Sequence, residues 1–232
     1  MKQVWKDKEV TIMKRIAVML LATVLLCFSA CSTGKSLPVL VQSPLSLCGT
    51  QDGVEAFLAE NNGYKGSGRP HSCRNITPDF VRDHSSFQVF KYEDTCDSFL
   101  LWQDKILPLG TGFGGLGVTS MALADLNEDG EYELYFTYSF GSGIHRSMLG
   151  GFDPSEERVL QPEEVCWNDD TVLTAGEHGE LLMSKAEITE YTDSTSLTAT
   201  PLEPLYRVDW QDGDAALSPL TGSQSELEGS PR

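Results

Sequence analysis

The chain has 232 residues, with 17 Lys plus Arg against 34 Asp plus Glu and a formal charge of −17. So acidic a field repels phosphate backbones and anionic headgroups, and no basic cluster interrupts it, which argues against nucleic acid as a partner.

Residues 16–30 read IAVMLLATVLLCFSA without a charge, after Lys14, Arg15 and an internal Met13. A bilayer-spanning helix needs about 20 apolar residues, whereas an export signal needs a basic start, an apolar core of about 7 to 15 residues and small residues at the cut. Residues 1–30 therefore read as a signal peptide, with Met13 as an alternative start. Ser29 and Ala30 are small and Cys31 follows at once, which resembles the lipobox of bacterial lipoproteins, with Phe28 where Leu, Val or Ile is usual. The resemblance implies a lipidated Cys31 (diacylglycerol and palmitate) and a mature chain facing outward from a bacterial cell membrane. An ordinary secretory cut after Ala30 and an uncleaved anchor are the alternatives. Residues 1–30 hold five basic residues and two acidic ones, so the remaining chain carries a formal charge of −20.

Residues 31–50 are rich in Ser, Pro and Gly and read as a lipidated cysteine and linker. In 51–61, Val54, Phe57 and Leu58 fall at i, i+3 and i+4, predicting a short N-terminal helix capped by Asp52 and closed by Asn61, Asn62 and Gly63. Pro78 favours a second helical start. Strands are expected at Phe87–Tyr92, with both faces partly apolar, at Ser98–Trp102, and at Ile106 and Leu107. The Gly-rich stretch Gly110–Gly117 reads as a permissive loop, followed by a strand at Val118–Ala124. Leu134–Ser139 gives the clearest alternation: Leu134, Phe136 and Tyr138 on one face, Tyr135 and Thr137 on the other. Further short strands are expected at Val172 and Leu173, Gly179–Met183, Ala186–Tyr191, Leu197–Thr200 and Leu205–Trp210, and residues 211–232 are expected to fray. No helical periods of βαβ length intervene. The fold class is therefore mainly β, α+β being the alternative: one globular domain over 51–210, an antiparallel sheet with a short N-terminal helix.

Of the six cysteines, Cys27 lies in the signal and Cys31 is the lipid site. Cys48, Cys73, Cys96 and Cys166 are candidates for one or two disulfides, by three pairings, of which Cys48 to Cys73 is a short closure. Their spacing contains no CxxC unit for zinc.

One motif carries strong chemistry. Asp125, Asn127, Asp129, Gly130 and Glu133 spell D-x-N-x-D-G-x-x-E between two expected strands. Hard cations such as calcium take six to eight oxygens, and a tight loop turns positions 1, 3 and 5 toward one centre. An EF-hand would need flanking helices and a Glu at position 12, where Phe136 stands. The loop instead resembles the calcium loop of the FG-GAP and VCBS family. That resemblance implies side-chain ligands at Asp125, Asn127, Asp129 and Glu133 and a backbone oxygen from Glu131, with calcium as a structural cofactor. An ion-free acidic turn and a calcium-responsive binding site are the alternatives. One loop in a chain this short excludes a complete propeller. The run from Ala122 to Ser147 also resembles uncharacterised small bacterial lipoproteins, which implies no activity.

Weaker signals complete the reading. Gly112, Gly114 and Gly117 match G-x-G-x-x-G, but a strand follows where nucleotide binding needs a helix N-terminus, so no nucleotide is expected. His145 and Arg146 lie just past the best strand and are candidates for binding an anionic or sugar-like ligand, the alternative being a structural role in holding the acidic surface together. Neighbouring carboxylates such as Glu156 and Glu157 fit a solvated acidic face. No nucleophile motif is present. The expected function is a membrane-anchored, non-catalytic binding or envelope-associated module with a structural calcium, meeting an envelope protein or a glycan. The alternative is a small envelope hydrolase acting on glycan or peptide.

Overall fold

In the computed structural model, which describes residues 36–62, 64, 72–110, 115–141, 143–160, 166–167, 169–190 and 193–220, the described residues form three antiparallel sheets and two short helices. The central sheet runs β1 (Leu40–Val41), β7 (Gly117–Ala124), β8 (Glu133–Phe140), β9 (Arg146–Asp153) and β10 (Arg158–Leu160), with β11 (Cys166–Trp167) also on β9. A second sheet runs β12 (Asp170–Ala175), β13 (Leu181–Glu190), β14 (Ser196–Gln211) and β15 (Asp214–Pro219), with β2 (Ser46–Cys48) on β14. The third runs β3 (Cys73–Asn75), β4 (Gln88–Tyr92), β5 (Ser98–Trp102) and β6 (Lys105–Gly110). This is the expected mainly β, antiparallel domain with a short N-terminal helix, and the described strands close neither a propeller nor a barrel.

The alternation in β8 explains the layering. Leu134, Phe136 and Tyr138 join Met121 and Leu123 against Val89, Leu100 and Trp102 of the third sheet. On the other face Tyr135 joins Ala122, Ala124 and Leu149 against Leu173, Leu181, Met183 and Val208 of the second. The central sheet is thus covered on both sides, which is why every residue of β7 is buried. β4 repeats the logic: Val89 faces the central sheet, while Phe90 turns outward under helix α1 (Val54–Glu60), where its ring stacks on Phe57 with centroids 4.2 Å apart. Burying such a side chain contributes roughly 1.5–3 kcal/mol. Helix α2 (Asp79–His84) adds Val81 to the central core.

Buried hydroxyls tie the central and second sheets. A bulge between Val118 and Ser120 sets Ser120 opposite Thr137. The Thr119 and Ser120 hydroxyls lie 2.8 and 2.6 Å from Thr137 Oγ1, Thr119 Oγ1 donates to the Thr171 carbonyl (3.1 Å), and the Leu173 amide donates to Ser120 Oγ (2.8 Å).

Several expectations change. Residues 36–50 are not only linker: β1 pairs with β7, β2 pairs with β14, and Leu47 is buried. The expected fray at 211 starts too early, since β15 pairs with β14 and buries Ala215. The cap of α1 is Gly53, with φ 70° and no side-chain cap, rather than Asp52. The expected pairs of strands at 179–191 and 197–210 are single strands with register irregularities. Cys48, Cys73 and Cys96 are free thiols. Residues 1–35, with the expected signal peptide and Cys31, Gly112 and Gly114 of the Gly-rich stretch, the Cys166 side chain and the expected tail at 221–232 lie outside the described residues.

Candidate metal centre

The loop hangs between β7 and β8, whose ladder ends at Ala124 opposite Glu133. Asp125 therefore leaves one strand just as Glu133 begins the other. Three hydrogen bonds wind the residues between: the Leu126 amide donates to Glu133 Oε2 (2.8 Å), the Asp129 amide to Asn127 Oδ1 (2.9 Å), and the Glu131 amide to Asp129 Oδ1 (2.8 Å). Gly130 has φ 90°, a conformation side chains rarely adopt, and an added Cβ there would touch nothing. The glycine is required by backbone conformation, not by crowding.

Asp125, Asp129 and Glu133 each offer an oxygen within 4.8 Å of the others. Two oxygens on opposite sides of one calcium, at about 2.3–2.6 Å each, stand at comparable separations. Burial is uneven: Asp125 is 4 % exposed and Glu133 0 %, while Asp129 is open to solvent. Asp125 Oδ2 accepts the Leu37 amide (3.2 Å), and Glu133 Oε2 also accepts the Tyr135 hydroxyl (3.2 Å). Their other oxygens, Asp125 Oδ1 and Glu133 Oε1, are buried without a hydrogen-bond partner. An orphaned buried carboxylate oxygen is costly, and a cation is the group that would satisfy two of them at once. Burial pushes the Glu133 carboxyl up to about 7, with smaller contributions from the Asp129 and Asp153 charges, against the opposing effect of its two donors. The residues present therefore fit a metal ion.

Among the expected ligands, the structure gathers Asp125, Asp129 and Glu133. Asn127 is held by Asp129, to which its amide donates at 3.0 Å, and the Glu131 side chain is exposed. His145 and Arg146 are not part of this centre. They lie beyond Phe140 at the other end of β8, seven strand positions or about 23 Å from Glu133. His145 Nδ1 stands 3.1 Å from Asp170 Oδ2, and Asp170 Oδ1 accepts the Ser139 hydroxyl (2.6 Å), so a half-buried imidazole is fixed between the central and second sheets. Arg146 opens β9 opposite Phe140.

The chain matches no family model, no curated protein and no solved structure in comparisons with known proteins. The site's meaning therefore rests on its own geometry.

Two features escaped the sequence reading. Leu37 reaches Asp125 from a stretch read as linker. Asp153, 1 % exposed, stands beside Glu133; its only local signal was Asp153-Pro154-Ser155, a turn-starting pattern. A cleft of about 570 Å³ lies elsewhere, lined by Val41, Pro44, Cys48, Thr77, Phe80 and Arg82 among others, and neither His145 nor Arg146 lines it.

Proposed function

We propose that the chain is an exported lipoprotein, anchored through Cys31 to the outward face of a bacterial membrane. Its β domain holds one structural calcium ion and serves as a non-catalytic binding module of the cell envelope. The observation supporting the metal reading is the pair of unpartnered buried oxygens, Asp125 Oδ1 and Glu133 Oε1, beside the exposed Asp129 carboxylate. Calcium suits this loop better than magnesium. One side is open to water, and calcium accepts an irregular shell of six to eight oxygens, whereas magnesium demands a near-ideal octahedron. The FG-GAP-like spacing of the loop supports the same choice. The anchor rests on the basic start, the apolar core and Ser29-Ala30-Cys31.

The test is calorimetric melting of the full-length chain in calcium and in chelator. Binding to the folded state alone raises stability by about 2.7 kcal/mol when free calcium is a hundredfold above Kd. Asp125→Ala is expected to remove the shift. An unchanged wild-type transition would sink the calcium assignment. For the anchor, the membrane-extracted chain should begin at a lipid-modified Cys31, and Cys31→Ala should release it.

A small envelope hydrolase acting on glycan or peptide is the second reading, favoured by the oriented His145 and Asp170 pair. It requires a hydrolytic activity that His145→Ala abolishes.

A further inference from the structure

The ladder between β8 and β9 ends at Leu134 and Phe152, which leaves Glu133 and Asp153 as the next residue on each strand, and the Asp153 charge acts on the Glu133 carboxyl. Opposed residues of an antiparallel pair share a face, with Cβ atoms about 4.5–5.5 Å apart. Asp153 is 1 % exposed. Its Oδ1 accepts the Ser155 and Glu156 amides (2.8 and 3.2 Å) and the Ser155 hydroxyl (2.7 Å), which builds the turn into β10. Its Oδ2 is buried without a hydrogen-bond partner. Arg158 is next in the row, opposite Asp153. Its guanidinium turns away, however: Nε donates to Glu156 (3.0 Å), Nη1 to Asp214 (3.1 Å), and Nη2 to the Gly213 carbonyl. Like charges directly opposed on one face are unfavourable, and so is an unpartnered buried oxygen. Both are relieved by one positive charge close to Glu133.

We propose that Asp153 is an outer carboxylate of the loop's cation centre, holding the ion through its unpartnered Oδ2 by a bridging water, so that the centre spans two adjacent hairpins. This rests on the calcium reading above. Asp153 lies outside the three residues whose oxygens converge within 4.8 Å, so its role is that of a positioning residue rather than a direct ligand. The divalent cation would then be tuned by a residue 20 positions past the loop in sequence.

Calorimetric titration of the full-length chain with calcium alone, comparing wild type, Asp153→Asn and Asp125→Asn, separates the possibilities. Asp153→Asn retains an Oδ1 acceptor for the turn and replaces the orphaned oxygen by an uncharged donor. It should bind one calcium with affinity lowered about 10- to 100-fold, the usual effect of losing an outer-shell partner. In chelator, its melting temperature should equal or exceed that of wild type. Asp153→Ser, which also keeps an acceptor for the turn, should show a similar loss of affinity. Asp125→Asn should bind no calcium. Wild-type affinity in Asp153→Asn would overturn the role of Asp153 alone, as would an affinity loss accompanied by a lower melting temperature in chelator. No binding by wild type would overturn the calcium reading as well.

Discussion

The Leu37 amide donates to Asp125 Oδ2 at 3.2 Å, across 88 residues of chain. Nearby, the Tyr132 hydroxyl donates to the Pro38 carbonyl at 3.2 Å, and β1 then pairs Leu40 with Leu123. The segment by which the chain joins the domain is therefore fastened to the acidic loop. An ion that fixes Asp125 should also slow opening of this segment. Hydrogen exchange at residues 37–41 is expected to be about tenfold slower in calcium than in chelator, with no difference in Asp125→Ala.

Glu133→Gln should have opposite effects with and without the ion. The folded carboxyl sits at about 7 against an ordinary 4.5. A raised carboxylate costs nothing below the unfolded value, and stability is lost as pH rises from there through the folded value. The loss is on the order of 3 kcal/mol by pH 8. In chelator at pH 8, urea unfolding should therefore show Glu133→Gln more stable than wild type, with the gap closing by pH 5. In calcium at pH 8 the order should reverse, because the variant lacks the charge that holds the ion.

The thiols give an independent check of the fold. Burial pushes the Cys73 thiol up to about 12 from 9.0, while Cys48 is exposed. Because the folded value is the higher, this group leaves stability unchanged below pH 9, and stability falls as pH climbs from 9 toward 12. Alkylation needs the thiolate. At pH 8, mass spectrometry should find native Cys48 modified and Cys73 protected until urea is added. Protection of both residues after urea would indicate a bridge.

Thr137→Val keeps the shape of the side chain but removes two buried hydrogen bonds at the junction of two sheets, leaving the Thr119 and Ser120 hydroxyls only their backbone partners. A loss of about 1–3 kcal/mol in denaturant unfolding is expected, with calcium affinity unchanged.

The sequence displayed the β8 alternation and the D-x-N-x-D-G-x-x-E loop because both are local patterns, one of period two and one of fixed spacing. β9 was hidden by Gly150 and Gly151, which weaken a strand signal. The structure explains Gly150 by the Phe136 ring, 2.4 Å from where its Cβ would sit. The stretch 36–50 looked like linker because its Ser and Pro content outweighs Leu47, whose burial depends on a β14 partner some 150 positions away. Asp153 was one carboxylate among 34 acidic residues until cross-strand register put it beside Glu133. What was legible was local; what was missed depended on which distant strands meet.

Equilibrium dialysis of the full-length chain against millimolar calcium, followed by elemental analysis, tests the central claim most directly. The account predicts one retained calcium per chain and none in Asp125→Asn. Wild-type protein that retains none, or retains as much as the variant, would contradict it.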